Sequence, residues 1–535
     1  MKKSLGIVVG VIVVAGVAWV GASWYTGKRV EAVVRQGVDE GNAKIQAFMP
    51  NAKMKIEVVS LERHVFSSDI QYSLTLEGVA AEKGKPAKDV AFLLHDHIEH
   101  GPFPLARLKS GALAPVMATS AFELVNNETV KSWFELTKGT APLSGNATVH
   151  YNRDVAGNLV LQPVDVLRPD GDLKFSGMNL QVAVAYATKA AKVSGSIDSI
   201  SLDIKDPKEP GKVQLTGLTL SSDMHQGQAG LQVGTNQLAV KQMSILHNTS
   251  PAILLNNYTQ NAELTEGANG LAARVMYDVG MLNLGGQDVA GVRVGFGARN
   301  LAADAVKTLV ELYGNVLTRT MKQKPGEDPE QALDLPPADR EKAMAAGKAL
   351  LAGKPTFFID PILVHNAKGE SRFDMTLDLG DPGSTDQPID QMITNLLQKL
   401  DAKLTVSTPM VTSILAQQMQ QHGGLDAATA QKQADATTQA MAQMAVATGY
   451  LSKDGANVVG TLNYADKVVN LNGKKMPLDE FAMMVMGMAM GMHPQDGMDE
   501  EDSDQPDGDE GDEPQDGVAP DAGAAAVPAP PARRK

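Results

Sequence analysis

The chain has 535 residues, no cysteine and a formal net charge of −14. Without cysteine there are no disulfides, no thiol nucleophiles and no Cys-ligated zinc sites. From Pro494 onward thirteen acidic residues face three basic ones, so the charge sits mostly in the tail and neither part offers the basic face a nucleic-acid partner requires.

Leu5 to Ala22 are eighteen consecutive apolar or small residues, with Lys2 and Lys3 before them and Lys28 and Arg29 after. At about 1.5 Å rise per residue, this predicts one helix across a hydrocarbon core about 30 Å thick. Trp19, Trp24 and Tyr25 gather at its far end, where amphipathic rings prefer the headgroup layer. The competing reading is a secretory signal cleaved after Ala22, but signal cores usually run about 7–15 residues. Residues 1–27 are therefore read as a cytoplasmic start and a retained anchor.

Residues 28–300 are expected to form a β-rich domain. Val30 to Phe48 suits a short amphipathic helix that Pro50 ends. The period then drops to two, with Met54, Ile56 and Val58, then Ile70, Tyr72, Leu74 and Leu76, alternating with polar residues. A helical interlude is predicted over about 105–138, followed by strands at 147–153, 173–186, 193–204, 213–222, 231–246, 271–284 and 289–299. Residues 301–493 are expected to form a mixed domain. Helices are predicted at 301–316, 332–351, 389–400, 409–423, 425–450 and 477–492, and strands at 356–364, 371–379, 404–406, 458–464 and 468–471. Residues 494–535 are almost free of apolar side chains before Val518 and predict a disordered acidic tail. The fold class expected is α+β: a single transmembrane helix, then a large antiparallel β-rich region with inserted helices.

Several stretches carry a family resemblance in their order and spacing. They include Met1-Lys-Lys-Ser-Leu, Trp24-Tyr-Thr-Gly-Lys, Val65-Phe-Ser-Ser, Leu124-Val-Asn-Asn-Glu and Asp401-Ala-Lys-Leu-Thr, then Leu471-Asn-Gly-Lys-Lys-Met-Pro-Leu-Asp-Glu-Phe. The most specific is His100-Gly101-Pro102-Phe103-Pro104-Leu105. On these residues the chain resembles the YdgA-like family of bacterial envelope proteins, a domain-of-unknown-function family. The resemblance covers about residues 1–485 and implies a single-span inner-membrane protein with its bulk in the periplasm. It implies no catalytic residue.

The densest polar cluster is His95-Asp-His-Ile-Glu-His100. On a strand His95, His97 and Glu99 share one face, a set able to bind zinc with an open water position. The alternative is structural: Gly101 and two prolines fix a turn that His100 ties down. Met483, Met484, Met486, Met488, Met490, Met492 and His493 offer soft Cu(I) ligands if extended, and a flexible apolar surface if helical. No nucleophile elbow, zincin pair or phosphate loop occurs, and no cofactor is implied.

Three functions follow as expectations. The first is a membrane-tethered scaffold or binding protein that contacts envelope partners or a second copy of itself. The second is a lipid-handling protein with an apolar sheet face for acyl chains. The third is a metal-dependent hydrolase at His95 and His97. A continuous apolar face open to solvent favours the second, and packed or polar faces favour the first.

Overall fold

The computed structural model describes residues 30–48, 54–64, 66–79, 88–248, 250, 252–322, 335–383, 387 and 389–489. Contacts divide the chain into two units, Met1–Leu478 and Asp479–Lys535.

In the first unit, helix α1 (Val30–Phe48) buries Val34, Val38 and Ile45, a four-and-seven spacing that lines up one helical face against β1 (Met54–Arg63). Asn42 completes the join. Its Nδ2 donates to Ile56 O at 2.9 Å and its Oδ1 accepts from Ile56 N at 2.8 Å, so a helix side chain satisfies the open edge of β1.

Strands β1, β2 (Ser67–Val79), β3 (Lys88–His100), β4 (Ala118–Val125), β5 (Leu143–Val149) and β6 (Val155–Leu161) are successive antiparallel neighbours. Short helices α2 (Leu105–Lys109) and α3 (Lys131–Leu136) lie in their connections. Ile70, Tyr72, Leu74, Ile98, Phe122, Leu143, Val149 and Leu180 form one closed core with α1. β7 (Val164–Arg168) and β8 (Gly171–Phe175) form a hairpin, while β9 (Met178–Ala185) returns to β6. β10 (Ala190–Ile204) holds β9 along its first half and β8 along its second. The single strand predicted at 173–186 is therefore two, broken at Ser176-Gly177.

The sheet then meanders through β11 (Gly211–Gln226), β12 (Gln232–His247), β13 (Ile253–Gly267), β14 (Gly270–Leu284) and β15 (Gln287–Leu301). Helices α4 (Ala303–Lys322) and α5 (Pro337–Ala352) intervene before β16 (Thr356–Asn366), which pairs with β15, so the sheet continues through position 300. Next come β17 (Gly369–Leu379), α6 (Ile389–Leu396), β18 (Leu397–Ser407), α7 (Thr408–Gly423) and α8 (Ala427–Ala447). β19 (Ser452–Asp454), β20 (Asn457–Ala465), β21 (Val468–Leu471) and β22 (Lys474–Pro477) close the sheet, with β20 paired to β18. α7 starts cleanly because Ser407 Oγ accepts from Met410 N, and Gly424 ends it at φ +61°. α9 (Leu478–Ala489), all but its first residue in the second unit, carries Met483, Met484, Met486 and Met488. These four positions are helical and not extended, and Met490, Met492 and His493 lie outside the described residues.

The α+β expectation is corrected. All 22 described strands belong to one antiparallel sheet and only a few helices accompany it. Among the described residues no helix is long and apolar enough to cross a membrane. The predicted anchor at Leu5–Ala22 and the acidic tail lie outside the described residues. Two helical predictions fail for a shared reason. Within 105–138, Ala118, Phe122 and Leu124 are buried on alternate positions of β4, and within 389–400 the chain leaves helix at Leu397 because Leu397 and Leu400 enter register with Leu379 and Leu377. Tertiary pairing overrides local helix preference in both places.

Candidate functional site

The His100–Pro104 stretch is a packed turn. Gly101 N donates to Met117 O at 2.6 Å and Val116 N donates to Pro102 O at 3.0 Å. A Cβ on Gly101 would lie 1.8 Å from Val116 O, so no other residue fits. His100 N donates to Phe66 O at 2.8 Å, and its Nε2 lies 3.0 Å from Ser68 Oγ. Pro104 is fully buried and precedes α2, whereas Phe103 is 52 % exposed. His100, Gly101 and Pro104 thus hold the β3–β4 connection, Pro102 contributes its carbonyl to it, and the side chains of Pro102 and Phe103 are exposed.

The strand reading of 95–99 places His95 and His97 together, but with a different acid. Asp69, opposite His97 on β2, accepts from His97 Nδ1 at 2.7 Å. His95 Nε2 and His64 Nε2 each stand 3.5 Å from an Asp69 oxygen. Burial acts to raise the Asp69 pKa, but the His97 hydrogen bond and the charges of His97, His95 and His64 hold it below the usual range. Glu99 turns away and accepts from Ala106 N at 2.8 Å, tying down the first turn of α2. Among the described residues no group of three His, Asp or Glu side chains is arranged to hold a metal ion. Asp69 belongs to a different strand, and only its register opposite His97 brings it in.

Asp96 points to the other face of β3 and is fully buried between its cross-strand neighbours Ile70 and Phe122. Ser120 Oγ donates to its Oδ1 at 2.7 Å, while Oδ2 has no hydrogen-bond partner among the described residues. Burial pushes the carboxyl up to about 7, against the lowering effects of Ser120 and His97.

The largest feature is the face of β10–β18. Cross-strand register aligns Ile197, Leu218, Val240, Tyr258, Val279, Val292 and Val364 in one row over seven strands. Beside it runs Leu220, Leu238, Gln260, Tyr277, Val294, Ile362, Phe373 and Leu404. Neither row holds a charged side chain. The next rows add Ile200, Leu215, Met243, Leu255 and Leu282. The reverse face carries Asp278 paired with Arg293, and Arg372 bound to Asp360 and Asp374.

One device keeps the apolar residues on one side. Alternation breaks at the same level in successive strands, between Ile197 and Ile200, Leu215 and Leu218, Val240 and Met243, and Leu255 and Tyr258. At that level Gly217 and Asn257 adopt φ of +62° and +55°. A Cβ on Gly217 would stand 2.9 Å from Lys241 Cβ, and Gln242 Nε2 donates to Asn256 Oδ1 at 2.9 Å. Two consecutive residues on each strand thus turn to the polar side, and the apolar phase resumes beyond them.

Among the described residues helix packing on the sheet falls mainly at β1, β7, β15, β17, β18 and β20. On β10–β14 most residues of the apolar rows are half-buried and Val240 is buried, with Ile197 and Leu220 packed against the edge of the core. Further along, Phe296 is 44 % and Ile362 38 % exposed.

Known proteins place the chain at the level of family. It is 30% identical over 500 residues to Protein YdgA of Escherichia coli (strain K12), covering 90% of this chain and 97% of that one. It is 23% identical over 482 residues to the Uncharacterized protein YihF of the same organism, covering 88% and 97%. No solved structure matches. The family model described as bacterial protein of unknown function (DUF945) matches residues 1–479, so the chain belongs to this YdgA-like family.

Proposed function

We propose that this chain is a non-enzymatic binding protein of the bacterial envelope, with its bulk in the periplasm, that shelters acyl chains on the apolar face of its large sheet. The observation that carries this reading is the unbroken register of uncharged side chains from β10 to β18. At about 4.8 Å per strand the face extends roughly 40 Å, more than twice the half-thickness of a bilayer core of about 30 Å. Each methylene that leaves water on such a face contributes about 0.8 kcal/mol.

The composition of the rows favours lipid over a protein partner. Protein interfaces concentrate Trp, Tyr and Arg at their centres inside a polar rim. These rows are mainly Leu, Ile and Val, with Tyr258, Tyr277 and Phe373 as their aromatic members. The envelope location rests on the N-terminal apolar stretch and on the resemblance described above. Native mass spectrometry of gently purified full-length protein tests the reading. Co-purified lipid is the expected result, and a second subunit without lipid would support the scaffold role instead.

A further inference from the structure

The apolar row does not end on a bare sheet edge. Beyond Val364 the register passes to Ser371, and Val406 pairs with Val458 on β20. Phe373, two residues from Ser371, pairs with Leu404, two residues from Val406, so Ile197 and Val458 stand at the two ends of one line across ten strands.

At Val458 the chemistry changes. Helices α7 and α8 stand over this end of the sheet and leave a cleft of about 840 Å³, which Val458 helps to line. Its other walls include Lys368, Lys453, Thr412, Thr438 and Gln439. The two lysines come from different elements, Lys368 from the β16–β17 turn and Lys453 from β19, and neither Nζ has an ion-pair partner among the described residues. Thr438 is only 4 % exposed, and its Oγ1 has no hydrogen-bond partner among the described residues. A buried hydroxyl without a partner costs about 1–3 kcal/mol unless something enters to satisfy it. Asp435 supplies the one acid of the lining, and its Oδ1 already accepts from Gln431 Nε2 at 3.1 Å.

We propose that this cleft takes the anionic phosphate headgroup of an amphiphile whose chain lies along the row leading from Val458. The inference rests on the acyl-chain reading and adds a polarity to it: headgroup at the α7–α8 end, chain running toward β10. Lys368 and Lys453 supply positive charge from two sides, and Thr438 Oγ1 supplies a buried donor.

Calorimetric titration of the full chain with dodecyl phosphate, 1-dodecanol and inorganic phosphate tests it. Wild type should bind dodecyl phosphate about tenfold or more tightly than dodecanol. The Lys368→Ala/Lys453→Ala variant should lose that advantage and keep its dodecanol affinity. Thr438→Val, close in shape to threonine, should weaken the phosphate probe without loss of folding. Failure of dodecanol to bind wild type would overturn the acyl reading itself. Dodecanol binding with no phosphate advantage, or an advantage indifferent to the lysines, would overturn the cleft assignment alone. Inorganic phosphate binding as tightly as dodecyl phosphate would make this a free-phosphate site and refute the link to the apolar row.

Discussion

Replacement of Asp96 by Asn should reverse sign with pH. The carboxyl sits fully buried between Ile70 and Phe122, with Ser120 as donor to Oδ1 and no partner for Oδ2 among the described residues. Its folded-state pKa is raised from 3.8 to about 7. The stability associated with its proton is therefore fully present below 3.8 and is lost as pH rises through about 7. At about 1.36 kcal/mol per tenfold change in proton affinity, the total loss is about 4 kcal/mol. Asn cannot ionise and escapes this loss, but its amide NH2 takes the place of Oδ2 without an acceptor, at a cost of about 1–3 kcal/mol. Above pH 8 the variant should be more stable than wild type by about 1–3 kcal/mol, and near pH 4 less stable by a similar amount. Trp133 packs against the same core, so urea unfolding followed by its fluorescence at several pH values reads the effect. A difference between the two proteins that stays constant from pH 4 to 8 would refute the argument.

Other perturbations separate the structural residues from the exposed ones. Gly101→Ala forces a Cβ against Val116 O and should abolish folding, read as loss of soluble protein, whereas Phe103→Ala should leave the melting curve unchanged and, if Phe103 meets a partner, remove only function. Asp69→Asn should flatten the acid limb of the stability profile: the folded pKa of Asp69 is lowered, so its contribution is present above the ordinary carboxylate range and fades as pH falls through the folded value. Gly217→Val should destabilise the protein by more than 1 kcal/mol in urea titration, because φ of +62° and Lys241 both oppose a branched side chain. Leu238→Lys places a charge in an uncharged row at a half-buried position, and should lower dodecanol affinity at least tenfold while the fold persists.

Alternation made several strands legible, but not β4, which was read as part of a helical interlude. Met54 and Ile56 on β1, and Val458 and Gly460 on β20, announce themselves by period two. β13 was not legible, because Asn256 and Asn257 interrupt its pattern between Leu255 and Tyr258. That interruption makes sense only beside Gly217 and Lys241 on the neighbouring strands, which a single strand cannot reveal. The candidate sites divide in the same way. His95 and His97 share a face as their spacing requires, but Asp69 lies a strand away and Glu99 is claimed by Ala106 N. The apolar face was expected only as one alternative, since its continuity depends on register between strands far apart in sequence. The cleft at Val458 left no signal, because its lysines are separated by more than eighty residues.

Photo-crosslinking at two adjacent positions tests the lipid-binding face most directly. Leu238 lies on the apolar row and Gln237 is exposed on the reverse face of the same strand. With a photoreactive side chain introduced at each position in the full chain and irradiated in cells, position 238 should yield covalent acyl-lipid adducts by mass spectrometry and position 237 should not. Equal lipid capture at both positions, or protein adducts alone at 238, would contradict an acyl-binding face.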